Sequence, residues 1–79
     1  MSPTILKYKE YRFFFFSRQE TRIHIHISSQ NGEAKYWIEP EIELAKNFGF
    51  NEKQLNEIKR FITEQENEII DAWSKHFKS

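Results

Sequence analysis

Residues 23–38 read IHIHISSQNGEAKYWI, and the rest of the fold can be worked out from this stretch. Its first five residues alternate isoleucine and histidine, the pattern of a strand with one buried face and one polar face. Asn31-Gly32 is a strong signal for a two-residue hairpin turn. The stretch therefore predicts an antiparallel β-hairpin with two chemically different faces.

A turn at Asn31-Gly32 also predicts the hairpin register. The opposed pairs would be Ile27 with Tyr36, Ile25 with Ile38, His26 with Trp37, and His24 with Glu39. One face then carries the isoleucines and the other carries the histidines. We expect helices to cover the isoleucine face and to leave the histidine face open. The reverse arrangement would make Trp37 and Phe14 core residues.

The residues before this hairpin predict a second one. β-branched and aromatic residues predominate from Thr4 to Tyr8 and from Tyr11 to Ser17, with a tight turn at Lys9-Glu10 between them. Pro40 cannot extend a ladder and is expected to close the fourth strand. The sequence thus predicts a four-stranded antiparallel sheet of two hairpins, spanning residues from about 4 to about 39.

After Pro40 the hydrophobic period changes to that of a helix. The apolar positions of a short first helix are Ile42, Leu44, Ala45 and Phe48. Gly49 would end this helix, and Asn51 would cap a long second helix from Glu52 to Phe77, with Gln54 completing a capping box. We expect an α+β fold in a single domain, residues 1–79, with helices between about 41 and 77.

A helix from Glu52 to Phe77 would be about 39 Å long. A domain of this size has a diameter of roughly 30 Å, so the last turns would overhang the core unless they bend back. The apolar residues at this end are Ile69, Ile70, Trp73 and Phe77. We expect them to form an interface with a partner chain, in a homo-oligomer or a hetero-oligomer.

The amino-acid composition limits the cellular compartments and the binding partners that the protein could have. Cysteine is absent, which excludes a disulfide framework and a cysteine nucleophile, and the longest apolar run, Phe13 to Phe16, is far too short to span a membrane. No leader pattern follows Met1, so we expect a cytoplasmic protein without membrane contact. The net charge is zero, but residues 1–38 carry six basic against three acidic groups and eight of thirteen aromatic side chains. This half could contact an anionic partner or the acidic second half of the same chain.

His24 and His26 would lie about 7 Å apart on the polar face. Glu39 opposite His24 would favour the imidazolium and raise its pKa, whereas Trp37 opposite His26 would favour a neutral ring. Such a pair could supply a general acid and a general base. A metal would need further ligands, and Glu39 alone lies nearby, so we predict no metal site and no cofactor.

Cations beside an indole can hold phosphate and stack a base. The predicted catalytic residues are therefore Arg12, His24, His26 and Lys35. Trp37 and Glu39 are the predicted binding residues. Together they predict an RNA-directed site on the histidine face. As an alternative, helices covering this face would make it ordinary core.

Several separated motifs resemble a family of small bacterial proteins, domain of unknown function 4160 (DUF4160). They are Pro3-Thr4-Ile5, Tyr11-Arg12-Phe13-Phe14-Phe15, His24-Ile25-His26, residues 33–40, Asn47-Phe48-Gly49-Phe50, Leu55-Asn56-Glu57-Ile58 and Ala72-Trp73. Arg22-Ile23 departs from the family pattern, which usually has two prolines before the His-x-His.

The resemblance implies a two-gene toxin–antitoxin setting, with this chain as the toxin and a neighbouring small protein of DUF2442 type as the antitoxin. It implies no established reaction and no established catalytic residues. Our first hypothesis is a type II toxin that inhibits growth through RNA binding, RNA cleavage or translation. The second is a non-catalytic interaction module, an antitoxin or adaptor, that uses the C-terminal helix. A small-ligand enzyme is a third possibility without a pocket signature.

Overall fold

A computed structural model describes residues 4–16 and 22–77. They form one antiparallel sheet of five strands, in which spatial order follows chain order, and two helices. The elements are β1 (Thr4–Tyr8), β2 (Tyr11–Phe14), β3 (His24–Ser29), β4 (Gly32–Trp37), β5 (Glu43–Phe48), α1 (Glu52–Glu64) and α2 (Glu66–His76). The α+β class and the antiparallel sheet are confirmed, and the count of four strands is wrong. The predicted strand end at Ser17 lies outside the described residues.

Strand β5 takes the place of the short helix predicted after Pro40. It pairs antiparallel with β4, with Tyr36 opposite Leu44, and a bulge leaves Ala45 as the extra residue. The turn between the two strands contains a cis peptide bond at Glu39–Pro40. Leucine, alanine and lysine favour helices, but here the backbone hydrogen bonds to the outer edge of β4 outweigh that preference.

The β3–β4 hairpin forms with its turn one residue earlier than predicted. Ser29 pairs with Gly32, so Gln30 and Asn31 form the loop. The pairs are Ile25 with Tyr36, His26 with Lys35, and His24 with Trp37. Each partner moves by two positions, which keeps every side chain on its predicted face. Glu39 therefore does not lie opposite His24.

Gly32 provides space rather than an unusual backbone angle. Among the described residues, positive φ occurs at Lys9 (55°) and Gly49 (101°). A Cβ atom at Gly32 would lie 2.2 Å from the carbonyl oxygen of Phe48 and 3.0 Å from the Cα of Gly49. The β3–β4 turn and the end of β5 can approach each other only because Gly32 lacks a side chain.

The helices cover the isoleucine face of the sheet, as expected. Ile25, Ile58 and Ile62 have no exposed surface. The Phe61 ring lies 4.6 Å from Tyr8 and 5.0 Å from Phe13, between ring centroids. The core thus lies between the sheet and the helices, and within residues 4–16 and 22–77 most of the opposite sheet face has no element packed on it.

The predicted capping box at the start of α1 is confirmed. The Asn51 side chain accepts a hydrogen bond from the Gln54 backbone N–H, and the Gln54 side chain accepts one from the Asn51 N–H. The single long helix is wrong, because the helical run is interrupted at Gln65.

Helix α2 bends back onto the core, which is the second of the two arrangements that the sequence left open. Ile69 has no exposed surface, and Ile70, Trp73 and Phe77 are half-buried. The Phe15 ring contacts Trp73 at 5.2 Å and Phe77 at 5.9 Å, between centroids. Burial of these aromatic rings holds α2 against its own chain.

Candidate functional site

The uncovered sheet face carries its side chains in rows, because directly opposed residues of antiparallel strands share a face. The first row is Lys7, Arg12, Ser28, Glu33 and Phe48. The second row is Thr4, Phe14, His26, Lys35 and Lys46. We call these two rows the open face. Each row crosses all five strands of the sheet.

Cations and aromatic rings alternate on and beside the open face. The Arg12 guanidinium lies 4.4 Å from the centroid of Phe14, and its Nε donates to the Thr4 hydroxyl at 2.6 Å. The Lys35 ammonium lies 4.4 Å from the centroid of Trp37. Cations held over aromatic rings are attracted by the negative ring face. Lys35 is held in this way although it is buried, with 9% of its surface exposed.

A groove of about 790 Å³ runs over the second row. His26 lies in its floor, stacked on Phe14 with ring centroids 5.6 Å apart and edge-on to Phe16 at 5.7 Å. Phe16 and Phe48 also line the groove, and each is 68% exposed. Exposed phenylalanines at a groove offer flat apolar surfaces to a ligand.

His24 lies beyond the open face and is buried, with 2% of its surface exposed. Its ring centroid is 5.0 Å from Trp73 and 5.7 Å from Trp37. The Nδ1–H donates to the Arg22 carbonyl at 2.8 Å. Although the His24 and His26 rings are 5.3 Å apart, only His26 lines the groove. Helix α2 therefore closes the sheet over His24.

Arg22 makes the polar contacts in the region where Glu39 was predicted to lie opposite His24. Its Nε donates to the Glu39 carbonyl oxygen at 2.7 Å, and an Nη2 pairs with the Glu43 carboxylate at 2.9 Å. The guanidinium also lies 4.4 Å from the centroid of Trp37. Glu39 thus contributes its backbone carbonyl to these contacts. Because His24 pairs with Trp37, the Glu39 carboxylate does not lie opposite His24 as predicted.

The structure brings four of the predicted residues together: Arg12, His26, Lys35 and Trp37. His24 lies beside His26 and Trp37 but is buried and does not line the groove. Glu39 contributes its backbone carbonyl to Arg22, and Ile69, Ile70, Trp73 and Phe77 pack against the core. Sequence reasoning missed Lys46 and Phe48, because both had been placed in a helix. No signal in residues 43–48 themselves indicates a strand, because Glu43, Leu44 and Lys46 favour helix.

The side chains present indicate which classes of ligand the site could bind. Within residues 4–16 and 22–77, histidine and carboxylate side chains do not gather in a group of three or more that could hold a metal ion. Helices of the described segments are all too short or too polar to cross a membrane. The groove instead offers aromatic rings, ammonium groups, an imidazole and the carboxylate of Glu33.

A second polar cluster lies at the opposite end of the sheet. Lys9 forms an ion pair with Glu57, and the Tyr11 hydroxyl donates to the same carboxylate at 3.3 Å. The hydrogen bond from Lys9 lowers the pKa of Glu57, and the same bond raises the pKa of Lys9. Burial raises the pKa of Tyr11. These groups join the β1–β2 turn to α1.

Comparison with known proteins adds one result. A sequence model of the family described as domain of unknown function (DUF4160) matches residues 11–74. Searches of curated proteins and of solved structures found no match. The family match extends from β2 into α2 and includes every open-face residue except Thr4 and Lys7. The chain therefore belongs to the DUF4160 family.

Proposed function

We propose that this protein is the toxin of a type II toxin–antitoxin module and that it inhibits growth by binding RNA on its open face. The observation that carries RNA binding is the groove, in which Phe16 and Phe48 are exposed beside Lys35 and Lys46. The toxin role comes from the two-gene setting that the family resemblance implies. A cytoplasmic location and a neighbouring DUF2442-type antitoxin belong to the same proposal.

The chemistry of the groove fits unpaired nucleotides. Bases stack on aromatic rings whatever their sequence, and each stacked base contributes roughly 1 to 3 kcal/mol. Phe16 and Phe48 supply exposed rings at the groove, whereas the Phe14 ring already contacts Arg12 and His26. Lysine and arginine side chains near these rings supply the charges that phosphates need. A protein with this face would capture single-stranded segments of messenger or ribosomal RNA and so slow translation.

The site supports binding better than cleavage by two histidines. Cleavage would need a base and an acid that both reach the phosphate. His24 is buried against Trp73 and bonded to a backbone carbonyl, so it does not present its ring to the groove. His26 does line the groove and is proposed to contact the nucleotide there.

The test is growth and methionine incorporation after induction in a bacterium that lacks the neighbouring gene. Wild type should arrest growth, and Phe48→Ser and Phe16→Ser should relieve the arrest. Leu44→Ser is the matched control, because Leu44 is 45% exposed on the same strand as Phe48 but on the opposite sheet face. It should arrest growth like the wild type. Failure of the wild type to arrest would contradict the toxin role.

A non-catalytic interaction module is the second candidate function. The observation that favours it is β5, an edge strand whose Leu44 and Phe48 are both exposed. The C-terminal helix suits this role less well, since Ile69 is wholly buried. Under this reading Leu44→Ser would abolish binding of the neighbouring protein, and the wild type would leave growth unchanged.

A further inference from the structure

The open face carries one acidic side chain among its cations and rings. Glu33 lies between Ser28 and Phe48 in the first row, and it lines the groove. It is exposed, and no ion pair within residues 4–16 and 22–77 uses its carboxylate. A carboxylate repels the phosphates of RNA. Its position on this face therefore favours contact with a base rather than with the RNA backbone.

The ring of Phe48 lies beside this carboxylate. Phe48 is directly opposite Glu33 across β4 and β5, and such neighbours have Cβ atoms about 5 Å apart. The Phe48 ring is 68% exposed, and no ring or cation of residues 4–16 and 22–77 is stacked on it. The Phe14 ring, in contrast, is already contacted by Arg12 and His26. Phe48 therefore offers a flat apolar surface next to a carboxylate.

Lys46 adds a positive charge from the same strand. It lies two residues before Phe48, is exposed, and lines the groove with it. Alternate residues of a strand share a face and are about 7 Å apart. A ligand stacked on Phe48 therefore has an ammonium group within reach on one side and the Glu33 carboxylate on another.

Guanine is the base whose edge fits a carboxylate. A carboxylate only accepts hydrogen bonds, and guanine presents two adjacent donors, N1–H and N2–H, on its Watson–Crick edge. Adenine and cytosine place an acceptor beside their amino group, and uracil has one donor between two carbonyl oxygens. These acceptors would face the carboxylate and be repelled by it. A cationic side chain of a protein partner would suit Phe48 and Glu33, but Lys46 would repel it.

From these contacts we infer that the open face recognises guanosine in single-stranded RNA. The base stacks on Phe48, the Glu33 carboxylate accepts from N1–H and N2–H, and Lys46 contacts a phosphate of the same strand. This inference rests on the proposed RNA binding and adds a base preference to it. Single strands are required, because in a duplex the Watson–Crick edge of guanine is already paired with cytosine.

The test compares labelled uridine oligomers of about eight nucleotides that carry guanosine, inosine, adenosine or uridine at one central position. Binding is measured by fluorescence anisotropy. Wild type should bind the guanosine oligomer at least about tenfold more tightly than the adenosine oligomer, the order expected for a bidentate contact to a base. Inosine lacks the 2-amino group, so its oligomer should bind with intermediate affinity.

Glu33→Gln should have two opposite effects. It should abolish the preference for guanosine, and it should bind the all-uridine oligomer more tightly than the wild type does, because a negative charge is removed from the face. A residue that only supported the sheet would not produce both effects. Glu41→Gln is the matched control, since Glu41 is exposed in the turn between β4 and β5 and does not line the groove. It should keep the full preference.

Phe48 and Lys46 are tested by conservative variants. Phe48→Leu should weaken binding of every oligomer at least about fivefold, since leucine offers no ring for stacking, and Phe48→Tyr should bind like the wild type. Lys46→Gln should reduce the slope of log affinity against log salt by about 0.7 and keep the preference for guanosine. Thermal unfolding of each variant verifies that it is folded.

The outcomes separate the two levels of proposal. If the wild type binds none of the oligomers, the proposed function fails and guanosine recognition fails with it. If the wild type binds guanosine and adenosine oligomers equally, or Glu33→Gln keeps the preference, guanosine recognition is overturned while RNA binding stands. RNA binding that neither Glu33→Gln nor Phe48→Leu changes would leave these residues to a protein partner and would also overturn it. An unchanged salt slope for Lys46→Gln would overturn the phosphate contact.

Discussion

Lys9 and Glu57 form an ion pair that joins the β1–β2 turn to helix α1 across 48 positions of sequence. Tyr11 donates a hydrogen bond to the same carboxylate. The contact fixes the first hairpin to the helix that covers it. It also makes the stability of the fold depend on the ionisation of Glu57.

We expect Glu57→Gln to weaken the acid dependence of stability. The pKa of Glu57 is lowered from 4.5 in the folded state, so its ionised form stabilises the fold above that pH. This contribution is lost as the pH falls through the lowered value. Urea unfolding between about pH 7 and about pH 3 should therefore show a smaller decline for the variant than for the wild type. Glu64→Gln, exposed at the end of the same helix, is the control. Parallel curves for Glu57→Gln and wild type would contradict the prediction.

Lys9→Gly should be more stable than Lys9→Ala by about 1 kcal/mol. Both variants remove the ion pair with Glu57, so their difference isolates the backbone. Lys9 has a φ of 55°, a left-handed conformation that glycine adopts without a steric cost. Denaturant unfolding of the two variants measures the difference directly. Equal stabilities would show that the turn rearranges once the lysine is removed.

Gly32→Ala should destabilise the protein by roughly 1 to 3 kcal/mol. The added Cβ would meet the Phe48 carbonyl oxygen at 2.2 Å, and backbone cannot move aside as a flexible side chain can. Glu33→Ala, at the next and exposed position of β4, should have a much smaller effect. Thermal and urea unfolding provide the comparison. A neutral Gly32→Ala would mean that β5 does not approach the β3–β4 turn this closely.

Tyr36→Phe should remove part of the stability loss at alkaline pH. Burial raises the pKa of Tyr36 from 10.0 to about 12, so the neutral phenol stabilises the fold below pH 10. That contribution, roughly 3 kcal/mol for a shift of this size, is lost as the pH rises from 10 towards 12. At neutral pH the variant should be about 1 kcal/mol less stable, because it lacks the hydroxyl bond to the Leu55 carbonyl at 2.9 Å. Unfolding of the wild type and Tyr36→Phe, measured at neutral pH and between pH 10 and 12, tests both effects. If the variant loses as much stability as the wild type at alkaline pH, the prediction is wrong.

His24→Ala should cost about 2 kcal/mol of stability, considerably more than His26→Ala. The His24 ring packs between Trp37 and Trp73, whereas His26 is only half-buried. Thermal unfolding of both variants gives the ranking. The reverse order would place His24 at an accessible site and would reopen a chemical role for it. Loss of growth arrest in His24→Ala therefore needs a stability measurement before it indicates chemistry.

The sequence predicted which residues lie on each face of the sheet, because the face of a residue depends only on its place in the alternation along the strand. The turn of the β3–β4 hairpin lies one residue from its predicted position, yet Ile25 and His26 keep their faces. The one-residue shift of the turn also changed the pairing across the hairpin, so the predicted pairs were wrong. The predicted contact between His24 and Glu39 was wrong with them. Local turn signals such as Asn31-Gly32 do not determine which two residues close the loop.

Strand β5 could not be predicted from its own residues. Glu43, Leu44 and Lys46 favour helix, and the strand is stabilised by a neighbour, β4, whose outer edge would otherwise be unpaired. The candidate site was incomplete as a consequence, because Lys46 and Phe48 lie on β5.

The break at Gln65 was missed for a related reason. Neither proline nor glycine marks it, and α2 is held against the sheet by the packing of Trp73 on Phe15 and His24.

Sheet order has a consequence for the rate at which the chain folds. Every strand pairs with the next strand in sequence, so the sheet can assemble through successive short loop closures, each with a small entropic cost. Contacts between distant segments, such as Tyr36 with Leu55 and Phe15 with Trp73, form only when the helices dock. We therefore expect the strand pairings of the open face to form before the helices dock and close the core.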